Sequence, residues 1–140
     1  MEGLDAPKDF KICDIPGGQF DDIVGPLYMH RDGSGTSYGF RVEARHGNLR
    51  GNLHGGMLMT LADRILGLTV EEAIGHLPVA TISLTNEFVA AANVGDWLVG
   101  RAEIIRRTRS LAFVRGVIRR GENVVLNSSG IWRIFSARSS

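Results

Sequence analysis

One segment of the sequence has helical periodicity, whereas the other apolar segments alternate like strands. From Gly55 to about Ile74, apolar residues cover most of the circumference of a helix, which predicts a helix surrounded by protein. A single apolar helix in a strand-rich chain has one obvious place to bury its surface, the concave face of a curved antiparallel sheet. The sequence therefore predicts an α+β domain built around one long central helix.

Six segments have the composition and spacing of strands, two before the helix and four after it. In the last of them every second residue from Val124 to Ile134 shares one face, as in a half-buried antiparallel strand. Turn residues such as Gly, Asn and Asp separate the candidates. The predicted strands are 26–31, 37–43, 79–88, 97–107, 111–120 and 124–135. We expect residues 1–24 to form an N-terminal extension, in which 17–24 is a short helix or loop, and residues 25–140 to form the domain.

The charge and composition of the chain disfavour several classes of partner. A formal net charge of +1 predicts no strong attraction to nucleic acid or to anionic lipid. The apolar stretch 57–70 is interrupted by polar residues and is shorter than the ~20 apolar residues of a membrane helix. The amino terminus has neither a basic start nor an apolar run, and Cys13 is the only cysteine. We therefore expect a cytoplasmic protein.

Asp63 stands in the middle of the otherwise apolar helix, where an unpaired charge is costly to bury. At helical spacing Gly56, Thr60 and Gly67 share its face and form a stripe of small and polar residues. A ligand or a second subunit could approach the helix closely along such a stripe. The alternative is that Asp63 forms an ion pair with Arg64, or with an arginine of the sheet, at a solvated edge.

The predicted helix begins at the run His54-Gly55-Gly56. The Gly55 and Gly56 amides would be among the donors that the first helical turn leaves unpaired. Without a Cβ in the way, a carbonyl oxygen could approach them, and the helix dipole favours negative charge at that end. This is the geometry of an oxyanion hole. The alternative is a tight junction between loop and helix that needs glycine for conformational reasons alone.

Taken together, the run from Asn48 to Asp63 resembles the signature of hotdog-fold acyl-CoA thioesterases, closest to the phenylacetate-pathway type and its animal acyl-CoA relatives. Asn48 is followed six residues later by His-Gly-Gly, and Asp63 lies nine residues after that histidine. The similarity continues through 81–88 and 109–113. It implies a curved antiparallel sheet of five to six strands around the helix. It also implies hydrolysis of an acyl- or aryl-acyl-CoA thioester to the free acid and CoA.

The resemblance also implies roles for the residues that match the signature. Asp63 would activate water or attack the thioester carbon itself, and both routes stay open. The Gly55 amide would polarise the thioester carbonyl. His54 and Asn48 would line the site and orient the substrate, the water or the surrounding loop.

A hydroxyl on the strand after the helix helps to place the water in relatives. Thr81 is the best match, and Ser83 is the second. The choice depends on the register of the strand, because a slip of one residue turns a side chain to the other face of the sheet.

Seven arginines lie between positions 101 and 120. Most simply they are solvated residues on the outer face of the sheet. The functional alternative is that residues near the turn between two strands bind the CoA phosphates, for which the forked arginine side chain is well suited. The candidates for the CoA moiety are Arg107, Arg109 and Ser110.

We expect no metal, because the four histidines lack metal-ligand spacing, and no cofactor, because the CoA thioester is the substrate. In this family the sites lie between two subunits, so a homodimer is implied, and a dimer of dimers is expected. Two alternatives stay open. One is a hydratase or dehydratase with the same fold, and the other is a non-catalytic acyl-CoA-binding module.

Overall fold

A computed structural model describes residues 6–136 of the chain. The first five residues of the expected N-terminal extension lie outside this range. The elements follow the predicted order, with a short strand added at the start, and the segment predicted as a short helix or loop at 17–24 forms a helix. The elements are β1 (Lys11–Ile12), α1 (Gly18–Val24), β2 (Tyr28–Asp32), β3 (Gly35–Arg41), a 3-10 turn (Ala44–His46), α2 (Gly55–Ala73), β4 (Val79–Phe88), β5 (Trp97–Arg107), β6 (Leu111–Arg120) and β7 (Asn123–Ile134).

The strands form one antiparallel sheet in the order β1-β2-β3-β5-β6-β7-β4. Helix α2 packs on one face of this sheet, against β4, β5, β6 and β7. The predicted hotdog arrangement, one long helix on a wide antiparallel sheet, is therefore confirmed. The sheet has seven strands within residues 6–136, rather than five to six. The additional strand β1 has only two residues, too few to give a periodic pattern in the sequence.

Helix α2 approaches the sheet closely at two glycines of the central strands. A Cβ on Gly100 would lie 2.6 Å from Cδ1 of Ile65, and one on Gly116 would lie 2.7 Å from Cδ1 of Leu66. Eight residues of the helix are buried, as its apolar pattern predicts. Within residues 6–136 none of the helices has the length and apolar character needed to cross a bilayer.

Strand β4 contains an irregularity that decides which of its hydroxyl side chains faces α2. Thr81 pairs with Trp132 of β7, but Ser83 pairs with Ile131, so Ile82 is an extra residue. Such a bulge reverses the alternation of side chains beyond it. Thr81 therefore lies on the helix side of the sheet and Ser83 on the outer side.

Candidate active site

Asp63 is half-buried on α2 and is held by a residue of β4. Thr81 Oγ1 donates a hydrogen bond to Asp63 Oδ1 at 2.5 Å. Arg64 pairs instead with Asp21 of α1, with 3.2 Å between Nε and Oδ1, so the suggested Asp63–Arg64 ion pair is wrong. Across residues 6–136 Asp63 forms no ion pair, and its Oδ2 accepts no hydrogen bond. The carboxylate is thus fixed through one oxygen and available through the other.

The first two residues of α2 differ in whether their backbone amides have a hydrogen-bond acceptor. His54 caps the helix, and its Nδ1 accepts a hydrogen bond from the Gly56 amide at 2.9 Å. An accepting Nδ1 carries no proton, so the ring is the neutral Nε2–H tautomer. The expectation that both glycine amides are unpaired is therefore wrong for Gly56. The Gly55 amide has no acceptor in the part of the chain that the structure describes.

Asn48 organises the loop that leads into α2. Its Oδ1 accepts hydrogen bonds from the amides of Arg50 at 2.9 Å and Asn52 at 3.1 Å. A bridge between Gly47 and Leu53 closes the base of this loop. Asn48 therefore supports the approach to the helix, and its oxygen is already used in doing so.

The geometry of one helix separates the two main candidate groups. Gly55 and Asp63 are eight residues apart on α2, which corresponds to about 12 Å along its axis. Groups that act on one carbonyl must each lie roughly 3 Å from it. The Gly55 amide and the Asp63 carboxylate of one chain therefore do not meet at a single thioester.

The candidates for the CoA moiety lie at the C-terminal end of α2, away from Gly55. Arg107 Nη1 donates to the carbonyl of Ala73 at 3.4 Å. Arg109 and Ser110 are exposed in the turn between β5 and β6, and the Ser110 carbonyl accepts from the amide of Ile134 at 2.8 Å. Their side chains are thus placed at the surface at one end of the helix.

A reactive thiol and a bound metal are two other groups that could take a catalytic role. Cys13 is half-buried, and burial raises the pKa of its thiol, which disfavours the reactive thiolate. Among residues 6–136 no three His, Cys, Asp or Glu side chains cluster as a metal site would require. The absence of a metal and of a cofactor from the working protein stays a prediction.

His46 is a buried polar residue that the sequence did not single out. It is 4% exposed, its Nδ1 accepts from the Glu43 amide at 3.0 Å, and its Nε2 donates to the carbonyl of Val24 at 2.7 Å. Both ring nitrogens are used only if the ring is neutral. Burial accordingly lowers the pKa of His46. The residue fixes the end of α1 beside the start of α2.

This lowered pKa predicts that acid destabilises the fold. The unfolded chain takes up a proton near the ordinary histidine pKa, about 6.5, before the folded chain does. The free energy of unfolding should therefore fall as the pH drops from 7.5 through 6.5 towards the lower folded-state pKa. Urea titrations at pH 7.5, 6.5 and 5.5 measure this slope. His46→Gln should flatten it, whereas His76→Asn, in an exposed turn, should leave it unchanged; an unaltered slope in His46→Gln contradicts the assignment.

Comparison with known proteins assigns these elements to a family. The family model of the thioesterase superfamily matches residues 50–126, which are more than half of the chain. The matched range includes α2 with both candidate groups, Gly55 and Asp63. The chain belongs to the thioesterase superfamily. It is accordingly a thioester hydrolase, and this decides against the hydratase and the non-catalytic binding module.

Individual thioesterase relatives agree with this membership. A Pseudomonas aeruginosa protein named "putative esterase" is 31% identical over 117 residues, which cover 81% of this chain and 86% of the relative. Acyl-coenzyme A thioesterase 13 of mouse is 30% identical over 73 residues, 52% of each chain, so the match spans about half of that relative. A Streptococcus pneumoniae thioesterase protein, solved with coenzyme A, is 26% identical with a TM-score of 0.68, covering 74% of this chain and 80% of that one.

Proposed function

We propose that this thioesterase hydrolyses acyl- or aryl-acyl-CoA thioesters to the free acid and CoA, without a metal or a cofactor. The observation that carries the proposal is the Asp63 carboxylate, fixed by Thr81, unpaired with a cation and open at Oδ2. The mouse relative named as an acyl-coenzyme A thioesterase and the streptococcal protein solved with coenzyme A support CoA esters as the substrate class.

A thioester is already activated, so hydrolysis needs mainly a positioned water, a base and a donor at the carbonyl oxygen. In the base route Asp63 Oδ2 takes a proton from water while the water oxygen attacks the carbonyl carbon. A Gly55 amide holds the resulting oxyanion. When the intermediate collapses, the carbon–sulfur bond breaks and the proton on Asp63 passes to the departing CoA thiolate.

In the alternative route Asp63 itself attacks the carbonyl carbon and expels CoA, forming a mixed anhydride that water then hydrolyses. Both routes need the same two groups. Only the second route can exchange an oxygen of the Asp63 carboxylate with water, and it does so when water attacks the Asp63 carbonyl carbon of the anhydride. The arrangement of Thr81 and Asp63 suits either route.

We propose that each site combines Asp63 of one protomer with Gly55 of a second. The separation of about 12 Å along one helix prevents one chain from supplying both groups to one carbonyl. Two α2 helices that lie antiparallel about a twofold axis would place the Gly55 of each beside the Asp63 of the other. Such a dimer has two equivalent sites and a self-complementary interface.

The surface beside Asp63 supports this dimer. Among the strands of residues 6–136, β4 pairs only with β7, so one edge of this ten-residue strand is unpaired in the isolated protomer. Four large apolar side chains on α2, on β4 and just after β4 are 43–58% exposed, and they are Met59, Ile82, Phe88 and Val89. A second copy of the chain would pair the strand edge and cover these side chains.

Three further expectations remain predictions: association of two dimers, binding of the CoA phosphates at Arg107, Arg109 and Ser110, and a cytoplasmic location. Arg107 contacts Ala73, which lies about ten residues beyond Asp63 on α2. Ten residues of helix span roughly 15 Å. An extended substrate such as a CoA ester is long enough to span that separation.

Release of free thiol from a panel of CoA esters tests the proposed function. Acetyl-, hexanoyl-, octanoyl-, palmitoyl- and phenylacetyl-CoA cover short, long and aromatic acyl groups. We expect at least one ester to be hydrolysed well above the uncatalysed rate, and equally after treatment with a chelator. If no ester in the panel releases thiol, the proposal is wrong.

Removing the Thr81 hydroxyl is expected to slow hydrolysis without preventing folding. Thr81→Val deletes the hydrogen bond that fixes Asp63 and should lower kcat about tenfold, within the range for a misplaced base. Thr81→Ser keeps the hydroxyl and should retain most of the rate. Steady-state kinetics on the preferred ester provide the comparison. Equal rates in Thr81→Val and wild type would show that the bond has no part in turnover.

A further inference from the structure

A cleft of about 510 Å³ lies beside the first two turns of α2, on the side that faces α1. Its apolar walls come from Ile23 and Val24 at the end of α1 and from Met57 of α2. His54 and Gly56 lie at its edge, so the cleft adjoins the start of α2 where the Gly55 amide is unpaired. The volume is within the range of small-molecule sites, roughly 300–1,000 Å³.

The α1 wall of this cleft is held by polar contacts rather than by a core of its own. None of the α1 side chains is fully buried. Asp21 forms an ion pair with Arg64 of α2, His46 donates to the carbonyl of Val24, and Arg45 donates to two backbone carbonyls at the end of the helix. These contacts join α1 both to α2 and to the turn that precedes it, so the wall is fixed relative to the helix.

The same contacts use the polar groups that a charged ligand would need. Both Nη groups of Arg45 are bonded to carbonyls, and its Nε lies 3.4 Å from Oε1 of Glu43. His46 is neutral with both ring nitrogens bonded. Arg45 lines the cleft, but Glu43 balances its charge, so a negatively charged group inside the cleft would be desolvated without an unpaired cation to compensate it, which is costly. The chemistry of the walls suits an uncharged apolar group.

We propose that this cleft binds the acyl part of the substrate and selects uncharged acyl or aryl-acyl groups over those that end in a carboxylate. The inference rests on the proposed function. A thioester carbonyl at the Gly55 amide has two substituents, and the sulfur side carries the charged CoA, which must extend to solvent. The acyl side then follows the wall formed by Ile23, Val24 and Met57, and these residues determine specificity.

Ile23 offers a clean test because it is 67% exposed in the free protein, so its substitution leaves the core intact. Phe20 is a matched control on the same helix, 56% exposed and outside the cleft. We expect Ile23→Ala to lower the ratio of kcat/KM for octanoyl-CoA over acetyl-CoA by about fivefold, in line with the loss of a few methylene contacts. Phe20→Ala should leave the ratio and both rates unchanged. Wild type should prefer hexanoyl-CoA to adipoyl-CoA, which has the same length and a terminal carboxylate, by at least about tenfold.

A binding measurement separates failure of this inference from failure of the proposed function. In an Asp63→Asn background intact octanoyl-CoA can be titrated calorimetrically, and Ile23→Ala should raise its Kd about fivefold with no change for CoA itself. Equal effects on octanoyl- and acetyl-CoA, no effect of Ile23→Ala in kinetics or binding, or preferred hydrolysis of adipoyl-CoA would each overturn the acyl assignment. Absence of any hydrolysis together with Ile23-dependent binding would overturn the proposed function alone.

Discussion

Replacement of Asp63 by asparagine is expected to lower kcat/KM for the preferred CoA ester by about 10²- to 10⁴-fold, the usual contribution of a positioned base or nucleophile. Asparagine has nearly the same shape and can still accept the Thr81 hydroxyl, so the fold should be retained. What it lacks is a basic oxygen at the open Oδ2 position. KM should change little, because the carboxylate acts in the transition state rather than in binding.

Glu71→Gln is the matched control, since Glu71 is a carboxylate on the same helix two turns beyond Asp63. It should retain wild-type rates. Turnover in H₂¹⁸O followed by mass spectrometry of the peptide containing Asp63 then tests the nucleophilic route, because label enters the carboxylate only when water attacks the Asp63 carbonyl carbon of a mixed anhydride. Wild-type activity in Asp63→Asn would rule out both routes.

Gly55→Pro is expected to lower kcat/KM by about 10²- to 10³-fold, the range for loss of one oxyanion donor. Gly55 is the first residue of α2, where proline fits the helix and removes only an amide that is unpaired. His54, with φ −63° and ψ 135°, already has the extended conformation that a following proline requires. The substitution therefore deletes the donor with little disturbance of the helix.

Gly55→Ala is the control for this variant, because it keeps the amide and its Cβ would make an ordinary contact at 3.5 Å with the Phe88 ring. It should stay within about threefold of wild type, since no donor is lost. Activity in Gly55→Pro equal to that in Gly55→Ala would remove the amide from the mechanism.

Mixing the two inactive chains tests whether a site is shared between protomers. When Asp63→Asn and Gly55→Pro chains are refolded together in equal amounts, about half of the dimers are mixed, and each has one intact site of two. About a quarter of the wild-type activity should return. If one chain supplies both groups, the mixture stays as inactive as its components.

The long helix and the strands were predictable because their periodicities are strong. Strands β4, β5 and β6 begin and end at the predicted residues. Helix α2 begins at Gly55, where the spacing of apolar residues in the sequence changes to that of a helix. The candidate carboxylate was predictable for a related reason, because a charge in an apolar helix contrasts with its neighbours. Within residues 6–136 Asp63 is not paired with a cation, and it accepts a hydrogen bond from Thr81, the residue for which the resemblance implied a role in placing the water.

Features that depend on contacts between distant segments were not predictable from local pattern. The bulge at Ile82 leaves no signature in the sequence, yet it alone decides that Thr81 rather than Ser83 faces the helix. The ion pair between Arg64 and Asp21 joins residues 43 positions apart, and the sequence suggested a nearer partner for Arg64. The use of the Gly56 amide by His54 likewise depends on a side-chain rotamer that periodicity does not report.

The unpaired edge of β4 also has a consequence for the solubility of the separated protomer. The strand, with the sequence VATISLTNEF, contains no lysine and no proline, the residues that commonly protect an exposed edge from pairing with other chains. Its β-branched residues and low charge are typical of segments that aggregate when exposed. Mutations that weaken the proposed dimer should therefore reduce the yield of soluble protein before they reduce the stability of the fold.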